Sequence, residues 1–61
     1  MFKKDDIIVY IGVNPLDYGT AFKVKYVLSN CVVVNDLTHK YDFPIPFKDC
    51  VLYSSLIKEL L

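Results

Sequence analysis

The chain has no arginine and no tryptophan, and only two glycines, two cysteines and one histidine among its 61 residues. Each shortage removes a class of function. Arginine makes the commonest base-specific contact in nucleic-acid grooves, so direct readout of sequence loses its main instrument. A phosphate-cradling loop needs several closely spaced glycines, which two cannot supply. Two cysteines cannot build a disulfide-dense scaffold, and no CxxC or Cys/His cluster suggests a metal. No bound cofactor is implied. Charge is also missing in the net sense: seven basic residues balance seven acidic ones. Proteins that work by neutralising phosphates want a strongly basic face, and mimics of nucleic acid want an acidic one.

Long apolar runs are absent too. Met1-Phe2-Lys3-Lys4 starts like a secretory leader, but Asp5-Asp6 follows at once. The apolar run Ile7–Ile11 ends at Gly12, too short for a leader core and far short of a membrane span. The expectation is a cytoplasmic protein with reduced thiols and no membrane contact. Cys31 and Cys50 then read as small apolar residues, with no neighbouring histidine to make either a nucleophile.

What the chain does have is apolar and aromatic material. Hydrophobic residues make up 54%, with five tyrosines and four phenylalanines, and the mean hydropathy is +0.35. Residues 1–61 make a single domain, and a domain this small buries only about 60% of the surface its unfolded chain exposes. The apolar surplus therefore predicts partly exposed aromatics, and a contiguous exposed patch would mark an interface.

The pattern along the chain is that of strands. Ile7–Ile11 is a β-branched and aromatic run stopped by Gly12. Val13–Gly19 holds Asn-Pro, Asp and Gly at turn-favouring positions and reads as the longest loop. Thr20–Leu28 alternates, with Phe22, Val24, Tyr26 and Leu28 expected inward and Lys23 and Lys25 outward. Ser29-Asn30 predicts a two-residue turn before the strand Cys31–Asn35, and Asp36–Lys40 a polar reversal before the strand Tyr41–Ile45.

The stretch YDFPIPFKDC (Tyr41–Cys50) carries two prolines two positions apart in a strand-like run. Proline cannot donate a ladder hydrogen bond. Pro44 and Pro46 lack N–H groups on the same side of the strand, so that side is unpaired and the run is either an edge or the point where the strand leaves the sheet. Pro46–Asp49 suits one 3₁₀ turn, Cys50–Tyr53 a last short strand, and Ser54–Leu61 a short helix with a serine cap.

In this order the chain resembles a Src-homology-3 (SH3)-like barrel. The likeness lies in Lys4–Gly12, Tyr18–Val24 and Tyr41–Leu52, and the opening is similar to KOW and Tudor-like barrels. The resemblance implies an all-β fold, a small five-stranded SH3-like barrel with a 3₁₀ turn and a short C-terminal helix. Small neutral barrels of this kind are common among phage and prophage proteins. Signalling members that grip PxxP peptides use a tryptophan, absent here, and an Ala-Leu-Tyr-Asp-Tyr motif, of which Leu16-Asp17-Tyr18 is a partial echo. Plasmid dihydrofolate reductases on this barrel use a Gln-Ile-Tyr element with no counterpart near Tyr41–Pro46.

No convergent set of titratable groups suggests an enzyme. His39 sits in a polar turn, Asp5-Asp6 and Asp36/Asp42 read as solvated carboxylates, and Ser54-Ser55 as a helix cap. The expected function is a non-enzymatic protein-interaction module that binds a host or assembly protein or forms a homo-oligomer. In this fold the loop and the 3₁₀ turn form the usual binding side, which nominates Asp17, Tyr18, Pro46 and Phe47. The alternative is a nucleic-acid-binding barrel that uses Lys23 and Lys25 beside aromatics for stacking.

Overall fold

The structure, a computed structural model, describes residues 2–36 and 41–60. Five strands, β1 (Ile7–Tyr10), β2 (Ala21–Val27), β3 (Cys31–Asp36), β4 (Tyr41–Pro46) and β5 (Cys50–Leu52), form one sheet in the order β4-β3-β2-β1-β5. All neighbours are antiparallel. A 3₁₀ turn, Phe47–Asp49, joins β4 to β5, and a helix, α1 (Tyr53–Leu60), follows β5 directly. Among the described residues the ladder does not close between β4 and β5. The polar reversal, with His39, falls outside the described residues apart from Asp36, which ends β3.

The turns follow the local chemistry. The Leu28 N–H donates to the Cys31 carbonyl at 2.8 Å, closing the hairpin over Ser29 and Asn30. At the start of the chain the Lys3 N–H donates to the Asp6 carboxylate at 2.9 Å, with Asp5 in the left-handed region at φ 73°, a conformation Asp tolerates better than most residues. The helix begins one residue earlier than its serines suggest: Tyr53 is its first residue, so Ser54 and Ser55 lie inside the first turn rather than capping it.

β4 is an edge, as its prolines allow. The Phe47 N–H donates to the Asn30 carbonyl beside β3. Backbone directions alternate along a strand, so Phe43 and Ile45 also turn their N–H groups to β3. Asp42, Pro44 and Pro46 turn outward, and two of those three positions have no N–H to offer.

β2 serves two ladders. Its first half pairs with β1, Ile7 opposite Lys23 and Val9 opposite Ala21. Its second half pairs with β3, and the register shifts between Val24 and Tyr26: Val24 faces Val34 while Tyr26 faces Val33. Lys25 is therefore the extra residue of a β-bulge, which bends the strand. The bulge overturns the expected alternation. Phe22 and Val24 point inward, but the next inward residue is Val27; Tyr26 and Leu28 are 45% and 50% exposed. A one-residue insertion exchanges the faces of everything beyond it.

The core is Ile8, Val24, Val32, Val34, Ile45 and Cys50, each aliphatic worth about 1.5–3 kcal/mol when fully buried. Aromatics close over it. Phe22 and Phe43 meet edge to face at 5.3 Å, and Phe2 stacks on Phe47 at 5.3 Å. Helix α1 packs on β1 and β5. No helix among the described residues is long and apolar enough to cross a membrane.

Candidate functional site: the loop between β1 and β2

The loop between the first two strands is held by its own side chains. Asn14 organises it. Its Oδ1 accepts the Leu16 N–H at 3.0 Å, its Nδ2 donates to the Asp17 carboxylate at 2.9 Å, and its carbonyl accepts the N–H groups of Asp17 and Tyr18. This is the work of a helix N-cap applied to a single turn, with Pro15 in the first position, where a missing N–H costs nothing. The Asp17 carbonyl then accepts the Thr20 N–H at 2.9 Å. Gly19 takes φ 85° and returns its N–H to the Tyr10 carbonyl at 2.8 Å, closing the loop onto the end of β1.

Two further contacts fix the loop to the body. The Tyr10 hydroxyl accepts the Asn14 N–H at 3.3 Å. To reach it the ring crosses Gly12, where a Cβ would lie 2.3 Å from the hydroxyl oxygen. The Ile11 N–H donates to the Asp49 carbonyl at 2.8 Å, which ties the base of the loop to the 3₁₀ turn.

So braced, the loop nonetheless turns apolar side chains to water. Val13 is 97% exposed, Leu16 90% and Tyr18 65%. Of the residues nominated from sequence, Tyr18 stands in this group. Asp17 is half-buried and committed to Asn14. Pro46 is exposed at the end of β4. Phe47 is only half-buried: it packs against the core and stacks on Phe2. A 3₁₀ turn wedged between two strands must direct one side chain inward, and Phe47 is the apolar one. Val13 and Leu16 were missed. Neither belongs to a periodic pattern, and their exposure follows from where the Asn14 turn points them.

The two lysines nominated for nucleic acid diverge to opposite flanks. Lys23 stands 3.8 Å from Asp5. Lys25 lies 2.9 Å from Asp42, whose other oxygen takes a hydrogen bond from Asn35 at 2.8 Å. The Asn35 and Lys25 hydrogen bonds hold the Asp42 carboxyl below its ordinary pKa. The bond to Asp42 and its charge raise that of Lys25. Both are exposed, so such pairs contribute little to stability.

Cys31 and Cys50 are buried free thiols. Burial, then the charge of Asp49, pushes the Cys50 thiol up and away from the reactive thiolate. Among the described residues no group of three or more His, Cys, Asp or Glu is placed to hold a metal ion. Comparison with known proteins finds no family model that matches the chain, no similar curated protein and no similar solved structure.

Proposed function

We propose that the protein is a small non-enzymatic interaction module on an SH3-like barrel frame, which docks a protein partner through the loop bearing Val13, Leu16 and Tyr18. The observation that carries this reading is the pairing of order with exposure. A loop cross-braced by Asn14 and Asp17 has already lost its conformational freedom, so binding costs it little further entropy. Apolar side chains held out on such a frame gain only when another surface covers them. The barrel reading is supported by the strand order, the 3₁₀ turn between β4 and β5, and the bulge that bends β2 between its two ladders. A cytoplasmic setting agrees with two buried thiols left unpaired.

The nucleic-acid alternative has less behind it, because Lys23 and Lys25 each stand against a carboxylate. The test is affinity capture from the cells that make the protein, with wild type and the Leu16→Ser/Tyr18→Ser variant side by side. The wild type retains a defined protein that the variant loses, while the two melt alike. Equal retention by a folded variant removes the loop as the site. Nucleic acid as the retained species promotes the alternative.

A further inference from the structure

The outward face of β2, β3 and β4 is a second surface, and no residue of it belongs to the loop. The ladder register fixes its composition, because residues directly opposite share a face. The inward rows are Val27–Val32–Ile45 and Val24–Val34–Phe43. The residues between them point out. One outward row is Tyr26–Val33–Pro44, and the next is Leu28–Cys31–Pro46, its first pair joined by the hairpin bond. Six apolar positions therefore adjoin on a face that an antiparallel sheet normally gives to water and polar side chains. At its middle, Val33 is only 5% exposed and Cys31 9%. These two are already buried within the single chain, so the apolar surface that this face still leaves to be covered is Tyr26, Leu28, Pro44 and Pro46.

The third outward row is polar, and it shows what the cover is. Asn35 and Asp42 are directly opposite, and Lys25, turned out by the bulge, reaches across β3 to Asp42. The row thus has its cation on β2 and its anion on β4, either side of the central strand. A two-fold axis in the plane of contact, running along β3, lays β2 of one copy over β4 of the other. The Lys25–Asp42 pair of one copy then lies over that of the other in the opposite sense, so each charge also faces its opposite in the second copy. The same operation sets Tyr26 over Pro44 and Leu28 over Pro46, aromatic and aliphatic against proline. Both sheets keep their strands aligned, a standard way for sheets to stack. An isologous contact must be self-complementary, and this face is, in charge and in shape-forming rows.

We infer that this face binds a second copy of the same chain, forming a face-to-face dimer about an axis along β3. The inference is separate from the loop reading, and either can fail alone. Sedimentation equilibrium up to millimolar concentration tests it. The wild type should give twice the 7.0 kDa of the chain. Lys25→Asp and Asp42→Lys each break the pair within the chain and also place like charges opposite one another across the contact, so each variant alone should be monomeric. Mixed in equal amounts they should dimerise, because each supplies the charge the other lacks.

A wild type that stays monomeric overturns the inference. So does a dimer that survives either single change, or a mixture that stays monomeric. Circular dichroism checks that both variants fold. If one does not, Tyr26→Ser replaces it: a folded monomer supports the contact, and an unchanged dimer ends it. A heteromeric complex forming on this face while the wild type alone remains monomeric gives the face to another protein.

Discussion

At the scale of single residues, two glycines do different work. At Gly12 the obstacle is a neighbour: the half-buried Tyr10 ring lies where a Cβ would go and packs against the core as well. Gly12→Ala should therefore cost about 1–3 kcal/mol through displaced packing. In a Tyr10→Leu background that extra cost should vanish, as a double-mutant cycle by urea unfolding would reveal. At Gly19 nothing lies within 4 Å, and only the backbone at φ 85° objects. Gly19→Ala should cost about 1 kcal/mol, and Gly19→Asn less, since Asn enters that region more easily.

Asp42 offers a test by titration. Its carboxyl is depressed first by the Asn35 hydrogen bond, next by the Lys25 hydrogen bond, and further by the Lys25 charge. Asn35→Ala and Lys25→Ala should each raise the carboxyl pKa, read by NMR, and a pKa left unmoved by either change would contradict the described geometry. The sign for stability follows from the direction of each shift. A depressed carboxyl stabilises the fold above the ordinary aspartate range, and that contribution is lost as pH falls through the lowered value. The raised Lys25 contributes below the ordinary lysine range and loses its share as pH climbs through the raised value.

At the scale of elements, the bulge decides which side chains are core. With Lys25 as the extra residue, Val27 faces inward and Leu28 outward. Val27→Ala should cost about 1–2 kcal/mol. Leu28→Ala should cost under about 0.5 kcal/mol. Urea unfolding of the two variants gives the comparison, and a costlier Leu28 change would restore the unbroken alternation.

The elements themselves were legible in the sequence, because strand runs, a two-residue turn and paired prolines act locally. Pro44 and Pro46 narrowed their strand to an edge or a point of exit from the sheet, and it is an edge. The bulge was not legible. Nothing in Val-Lys-Tyr signals an insertion, which shows only in the register of β2 against β3. The start of α1 was misplaced as well. Two serines suggested a cap, but the chain passes from β5 into the helix with Tyr53 and needs no separate entry.

At the scale of the whole molecule, Tyr18 and Phe47 separate surface from core. Phe47→Ala should destabilise by about 1–3 kcal/mol, since the ring is partly buried against the core and Phe2, a large share of what so small a domain has. Tyr18→Ser, at a side chain 65% exposed, should leave the melting temperature nearly unchanged. If thermal melting shows the two to be equivalent, the description of both sites is wrong. The loop was legible as a candidate site through its length and turn residues. Val13 and Leu16 were not, because only the folded Asn14 turn decides which apolar residues it leaves uncovered.

The prolines on the β4 edge have one more consequence, in the growth of aggregates. Templated fibril growth is a chain reaction in which each added strand must find donors on the exposed edge of the last. Of the outward positions Asp42, Pro44 and Pro46, only Asp42 can donate, so β4 acts as a terminator. In a chain that is over half hydrophobic, this closes one of the two edges of the sheet to an added strand. Replacing both prolines by Thr should remove the stop, and seeded turbidity assays should then show elongation that the wild type does not support.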